Sequence, residues 1–284
     1  MKVKINKLPK SEVEIEGELG EEIFETYFAR ALKKLGGGLE IPGFRKGKAP
    51  ENILLANLSE MKILEEMATL ALGDAYPKIL EENKIEAIGR PEIAITKLAR
   101  NNPLGFKIKT AVLPPVVLPD YKKIAKRVRG EIPEKDKNAT APEKEKENQA
   151  REETRLKIIE EIIKESKIDL PEILAEIELD KIFYKMESDI TQMGLKFEDY
   201  LKHLNKTRED LVKEVRPDAE KKAKLGLILN EIAKIEKLIP DPEQVSKEVA
   251  QILEHYKDAD PERAKIHAEN VLTNEKVFIL LENF

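Results

Sequence analysis

The order of apolar and polar residues divides this chain into a mixed front part and a helical back part. Residues 13–19 alternate apolar and acidic side chains, which is the two-residue period of a half-buried strand. Residues 21–35 instead place their apolar side chains on one face of a helix. Residues 85–98 and 104–117 are strand-like, and a short polar turn joins them. This order predicts a front α+β domain in which helices cover one face of an antiparallel sheet.

A second front helix is expected to begin at Pro50. Proline is tolerated at a helix start, because the N–H that it lacks has no helical partner at that position. Apolar residues then recur at helical spacing from Ile53 to about Leu80. The sequence therefore predicts one helix from Pro50 to about Leu80.

The back part, from residue 151 onward, is helical in pattern almost throughout. Pro217 lies inside the longest helical pattern and is expected to kink or split it. Helix start signals, in which an Asp or Thr precedes Pro, Glu or Asp, recur at residues 169–172, 207–210, 241–243 and 260–262. These features predict an all-α domain of extended helical arms.

The two parts are separated by a strongly charged stretch. Within residues 131–150, ten of the 20 side chains are charged, and Ile132 is the only large apolar one. Such a segment buries too little apolar surface to offset the entropy lost on ordering. We therefore predict three regions: a front domain over residues 1–118, a linker over residues 119–150 and a helical domain over residues 151–284.

Composition narrows the class of protein. The 284 residues are 37% charged and 5% aromatic, and they include no cysteine and no tryptophan. Without cysteine the chain forms no disulfide and no thiolate metal site. The start, MKVKINKLPK, has no apolar core of a secretory signal, and no apolar run approaches the ~20 residues of a membrane span. A cytoplasmic protein without a membrane partner is the expectation.

The charge is distributed unevenly along the chain. Residues 1–130 carry 23 Lys and Arg against 18 Asp and Glu, whereas the remaining residues carry 27 against 37. A basic front part and an acidic back part suggest that the front part docks on an anionic partner. The excess is too small for general binding to nucleic acid, so any such contact is expected to be local.

Residues that could perform catalysis are scarce. The three histidines, His203, His255 and His267, lie on separate predicted helical segments and lack the spacing of a metal site. No phosphate-binding loop, dinucleotide fingerprint or nucleophile elbow is present. We expect a protein that is not an enzyme and that carries no cofactor or metal.

The most informative segment is the basic loop, residues 41–50, which reads IPGFRKGKAP. Prolines and glycines prevent a helix there, so the segment is expected to expose Phe44 together with Arg45, Lys46 and Lys48. A ring among cations suits an acidic or phosphate-rich partner. The segment is also compatible with a solvated turn whose Phe44 packs into the core, and composition alone leaves both interpretations open.

The order of residues from Gly43 to Pro50, G-F-R-K-G-K-x-P, resembles the ribosome-attachment signature of the trigger factor family. The resemblance implies that the front domain docks on large-subunit protein and rRNA near the exit of the ribosomal tunnel. Three consecutive glycines, residues 36–38, depart from the family pattern and favour a more mobile loop. The residues that the resemblance assigns to ribosome binding are Gly43, Phe44, Arg45, Lys46, Gly47 and Lys48.

The back part also resembles the C-terminal chaperone domain of trigger factor, through LPEILAEIELDKIFYKM and AEKKAKLGLIL. The prolyl isomerase domain that typical members insert between the two parts is not expected here, since the charged stretch is too short for it. The resemblance implies an ATP-independent chaperone that shields unfolded or nascent polypeptides. Met186 and Met193 are candidate flexible contacts for clients, although core packing is the favoured explanation for both.

Two other functions remain open at this level. The helical part would serve a scaffold protein that binds one folded partner, with the basic loop as an acidic-peptide contact. An isomerase acting through an unrecognised site is the second alternative. Whether the protein forms a homodimer away from the ribosome is also left open.

Overall fold

The structure is a computed structural model that describes residues 2–45, 47–130 and 141–284. The side chains of residue 2 and of residues 141–151 lie outside that description. The chain forms two compact units, Met1–Pro114 and Pro115–Phe284.

The first unit is built on a four-stranded antiparallel sheet in the order β1-β2-β4-β3. Ile15 pairs with Ile108 across the two central strands, and both side chains are fully buried on the face that the helices cover. On the opposite face Glu16 pairs with Lys107. The inward and outward positions follow the alternation in the sequence. The strands are β1 (Lys2–Leu8), β2 (Glu12–Leu19), β3 (Ala87–Lys97) and β4 (Leu104–Val112).

Among the described residues of the first unit, four helices cover the core side of the sheet. The longest, α4, buries eight side chains, among them Met67 and Ile79. Tyr76 on α4 donates a hydrogen bond of 3.0 Å to Thr110 on the sheet. The predicted α+β fold is confirmed. The helices are α1 (Glu21–Glu25), α2 (Phe28–Gly38), α3 (Glu51–Asn57) and α4 (Glu60–Glu82).

Details of the first unit differ from the sequence prediction. Strand β1 was not predicted, although polar and apolar side chains alternate from Lys2 to Asn6 and place Val3 and Ile5 against the core. The first helical stretch is interrupted at Thr26 and then continues to Gly38. The helix predicted from Pro50 onward is broken at Leu58, whose extended backbone buries its side chain, and Ser59 caps a new helix there.

The described residues of the second unit form helices, apart from one isolated bridge between Val117 and Lys167. The predicted all-α character is confirmed. The helices are α5 (Tyr121–Arg129), α6 (Ala141–Glu165), α7 (Glu172–Gln192), α8 (Phe197–Leu204), α9 (Arg208–Ile235), α10 (Pro242–His255) and α11 (Pro261–Glu282).

Helix α9 contributes to both hydrophobic cores of this unit. Its C-terminal half packs Ile228 and Ile232 against α5, α6 and α11. Its N-terminal half packs Leu211 and Ala219 against α7 in a smaller core. The helix continues through Pro217, so the split that was one of the two predicted outcomes does not occur, and the predicted capping box at Thr207 is complete.

The boundary between the units differs from the predicted division. The first unit ends at Pro114, and α5 lies within the stretch that was predicted as linker. Helix α5 is amphipathic and buries Tyr121, Ile124, Ala125 and Val128 in the second unit. Residues 141–150 are part of α6, and residues 131–140 lie outside the described residues.

Because the first unit ends at Pro114, most of the basic excess found in residues 1–130 lies outside that unit. Residues 1–114 carry 18 Lys and Arg against 17 Asp and Glu, so the first unit is almost neutral. Residues 115–130 carry five cations against one acid, and these belong to the second unit. The basic character of the basic loop is therefore a local feature of an otherwise balanced surface.

Candidate docking loop

The basic loop connects the end of α2 to the start of α3, and its base is anchored on the core of the first unit. Leu39 and Ile41 on the incoming side and Ala49 on the outgoing side are partly buried against that core. Helix α3 begins after Pro50, whose carbonyl accepts 3.1 Å hydrogen bonds from the N–H groups of Ile53 and Leu54. Both ends of the loop are therefore held by packing and by helix termini.

Two glycines turn the chain within the loop. Gly43 has φ of +86° and Gly47 has φ of +74°, in the left-handed region that costs an ordinary residue about 1–2 kcal/mol. The N–H of Phe44 donates to the carbonyl of Ile41 at 3.1 Å, and the N–H of Lys48 donates to that of Arg45 at 2.9 Å. The predicted turn-forming role of both glycines agrees with this geometry.

The side chains between the glycines face solvent. Phe44 is 41% exposed, so its ring is not buried in the core. Arg45 and Lys48 are exposed, and within the described residues neither side chain has a carboxylate partner. Lys46, the remaining cation predicted for this site, lies outside the described residues. The loop thus presents an aromatic ring beside two available cations.

The three consecutive glycines upstream do not belong to the loop. They form the last turn of α2, and Gly36 is buried beneath Leu54 of α3. A Cβ placed on Gly36 would lie 2.8 Å from Cδ1 and 2.9 Å from Cδ2 of Leu54. Gly36 therefore permits a close contact between α2 and α3, whereas the sequence pattern favoured a mobile segment for all three glycines.

Two cations on neighbouring α2, Arg30 and Lys34, are paired with acids, whereas Arg45 and Lys48 have no carboxylate partner among the described residues. Arg30 lies 2.7 Å from the Asp74 carboxylate, and its hydrogen bond holds the pKa of Asp74 below the ordinary value. Lys34 lies 2.5 Å from Glu66. Because these charges are neutralised nearby, Arg45 and Lys48 are better placed than Arg30 and Lys34 to attract an anionic partner.

In the second unit, large apolar side chains remain at the surface. Met193 is 75% exposed, whereas Met186 is partly buried against the smaller core. The sequence did not distinguish the two methionines, because surface and core apolar residues share the helical period. The most exposed of these side chains are Leu156, Tyr184, Met193, Ile239 and Tyr256.

The described part of the chain contains neither a cluster of metal-ligating side chains nor a membrane-spanning helix. His203, His255 and His267 are exposed on three different helices, α8, α10 and α11. No group of three His, Asp or Glu side chains among the described residues is arranged to hold a metal ion. None of the described helices combines the length and apolar character needed to cross a bilayer.

Family comparisons match both units. The family model described as "Bacterial trigger factor protein (TF)" matches residues 1–141. The family model described as "Bacterial trigger factor protein (TF) C-terminus" matches residues 135–278. The two matches overlap over residues 135–141.

Individual relatives agree with the family matches. Trigger factor of Ruminiclostridium cellulolyticum is 34% identical over 137 residues, which cover 48% of this chain and 32% of the relative. Trigger factor of Clostridium tetani is 28% identical over 293 residues, covering 95% of this chain and 66% of the relative. The chain thus matches about a third of the first of these relatives.

A solved structure shares the fold over the whole chain. It is described as "Promiscuous Substrate Recognition in Folding and Assembly Activities of the Trigger Factor Chaperone". The TM-score is 0.63 at 14% sequence identity, with 100% of this chain and 99% of the other covered.

Proposed function

Since this chain belongs to the trigger factor family, we propose that it is an ATP-independent, ribosome-associated chaperone. The basic loop docks the first unit at the nascent-chain exit, on large-subunit protein and adjacent rRNA. The helical second unit shields unfolded or nascent polypeptides until they fold.

The observation that carries the docking role is the exposure of Phe44, Arg45 and Lys48 on an anchored base, with no carboxylate partner for either cation among the described residues. Arg45 has the leading role, because its planar guanidinium pairs with a carboxylate or phosphate through two parallel hydrogen bonds. Phe44 supplies a flat apolar surface for a base or a pocket on the partner. Lys48 adds electrostatic attraction.

The shielding role is supported by the apolar side chains that the second unit leaves exposed, Tyr184 and Met193 among them. Fully burying one such side chain contributes about 1.5–3 kcal/mol. That is less than the roughly 4 kcal/mol of a millimolar complex, so a client must contact several of them and each contact breaks readily. Binding of this kind permits release without nucleotide hydrolysis.

Ribosome pelleting at about 0.1 M salt tests the docking role, since exposed charges are already substantially screened there. The parent protein is expected to pellet with ribosomes, and Phe44→Ala/Arg45→Ala/Lys46→Ala is expected to remain in solution. A matched control, Ile23→Ala/Lys78→Ala/Arg90→Ala, removes one exposed apolar side chain and two exposed cations elsewhere in the same unit. Pelleting of the loop variant at the parent level would contradict the proposal.

Protection of unfolded proteins tests the shielding role. The chain is expected to suppress aggregation of several unrelated denatured proteins without ATP, and the loop variant is expected to do so equally well. Saturable binding to one folded protein, with no protection of the others, would favour the scaffold alternative. A prolyl isomerisation assay on a short peptide is expected to give the uncatalysed rate.

A further inference from the structure

We infer that Gly36 is a positioning residue for the basic loop, because the absence of its side chain lets Leu54 pack directly onto the end of α2. This inference rests on the docking role proposed above and extends it to residues outside the loop. Leu54 is 9% exposed and lies in α3, the helix that follows the loop. The contact therefore joins α2 and α3, the two helices that the loop connects.

The same two residues also participate in the backbone hydrogen bonds at the ends of the loop. The carbonyl of Gly36 accepts from the N–H of Leu39 at 3.3 Å, where α2 ends. The N–H of Leu54 donates to the carbonyl of Pro50 at 3.1 Å, where α3 begins. Packing Leu54 on Gly36 thus sets the distance between the points where the chain leaves α2 and enters α3.

A second contact holds the loop itself against the helix end. A Cβ on Gly47 would lie 3.7 Å from the Cα of Gly37, so the returning half of the loop passes close to the last turn of α2. The loop is therefore supported near its far end as well as at its base. The Gly36–Leu54 contact at the base of the loop and the approach of Gly47 to Gly37 together restrict the directions in which Phe44 and Arg45 can project.

The three glycines differ in the space around them, and this difference makes the inference testable. A methyl group on Gly36 would approach both methyl groups of buried Leu54 to less than 3.0 Å. The same methyl group on Gly37 or Gly38 would meet no atom within 4 Å. If the glycines act through flexibility, alanine should have similar effects at all three positions. If they act through the Leu54 contact, only position 36 should respond.

The experiment compares Gly36→Ala with Gly37→Ala and Gly38→Ala in the full chain, by ribosome pelleting and by NMR of the loop amides. Gly36→Ala is expected to weaken ribosome binding about tenfold, since the Leu54 methyl groups that it strikes belong to a buried side chain and their shift is passed on to α3. It is also expected to shift the amide signals of Phe44 and Lys48, which report the hydrogen bonds inside the loop. The two control variants are expected to stay within about twofold of the parent, since neither creates a clash.

A double-mutant cycle tests whether Gly36→Ala acts through Leu54, while the loop amide signals report positioning. Leu54→Ala removes the atoms that Gly36→Ala would strike, so Gly36→Ala is expected to add no further loss of binding in the Leu54→Ala background. Additive losses in the double variant, equal losses at all three glycines, or unchanged loop amides in Gly36→Ala would each overturn the inference. If the parent itself fails to pellet, the docking proposal fails, while the amide signals still decide whether Gly36 positions the loop.

Discussion

The hydroxyl of Tyr121 donates a 2.6 Å hydrogen bond to the carboxylate of Glu236, the C-cap residue of α9, and so links α5 to the end of α9. Lys122 lies 2.7 Å from the same carboxylate oxygen. These contacts, together with the buried apolar face of α5, make the helix an integral part of the second unit. The segment that follows the first unit therefore begins with a folded element.

Replacing Tyr121 with Phe removes this hydrogen bond and keeps the ring packed. The expected loss is about 1 kcal/mol of unfolding free energy, since the buried hydroxyl bonds to a charged group but Glu236 keeps Lys122 as a partner. Urea denaturation measures the loss. Tyr184→Phe is the matched control, because the Tyr184 ring is 79% exposed, and it should leave the midpoint unchanged. Equal effects of the two substitutions would show that the hydrogen bond does not stabilise the fold.

The ionisation of Tyr121 should be visible in an alkaline titration. Burial, and then the hydrogen bond to Glu236, raise the pKa of Tyr121 to about 12. Because the folded pKa lies above the ordinary value of 10.0, folding favours the neutral phenol. Its contribution to stability is complete below about pH 10 and is lost as the pH rises through about 12. An ultraviolet titration should show a tyrosine ionising near pH 12, and Tyr121→Phe should remove that step.

The capping box at the start of α9 should stabilise the smaller core of the second unit. Thr207 accepts a 3.2 Å hydrogen bond from the N–H of Asp210, and the Asp210 carboxylate accepts from the N–H of Thr207 at 3.0 Å. Thr207→Ala should therefore cost about 1 kcal/mol. Amide exchange should show the loss in α7 and the first half of α9. Thr207→Ser retains the hydroxyl and should behave like the parent, so a loss of equal size in both would exclude the cap.

Helix-interior glycines with open surroundings offer a stabilising change. Gly73 lies in the middle of α4, and a methyl group there would meet no atom within 4 Å. Gly73→Ala should raise the stability of the first unit by about 0.5–1 kcal/mol, because alanine loses less backbone entropy in a helix. Thermal unfolding measures the gain. Gly43→Ala is the opposing control, since its φ of +86° makes alanine strained, and it should lower the melting temperature.

The geometry of the Arg45 side chain should matter beyond its charge. Arg45→Lys keeps the positive charge but loses the planar fork, so ribosome affinity should fall on the order of tenfold. The matched exchange, Lys48→Arg, should leave affinity nearly unchanged if Lys48 acts only by attraction. Titration of labelled protein with ribosomes measures both. Equal affinity of Arg45→Lys and the parent would show that charge alone accounts for the role of this residue.

The parts of the fold that were predictable depend on residues a few positions apart. Strand β2 was evident from its alternation, and the starts of α9, α10 and α11 from their capping residues. The solvent exposure of Arg45 and Lys48 also followed from local chemistry, because glycines and prolines exclude a helix and cations avoid burial.

Other features depended on contacts between distant residues. The break between α3 and α4 occurs at Leu58 because the side chain of this residue is buried in the core, and this burial outweighs the continuous helical spacing of apolar residues in the sequence. The exposure of Met193 and the partial burial of Met186 depend on which helix packs beside α7, and their spacing in the sequence does not specify this.

By itself, then, the sequence determined the α+β and all-α character of the two units, the main helix caps and the composition of the basic loop. Only the tertiary structure decided that α5 belongs to the second unit and that Gly36 lies beneath Leu54. The physical reason is that hydrogen-bonding patterns and backbone preferences are local, whereas burial is set by residues far apart in the chain that meet on folding.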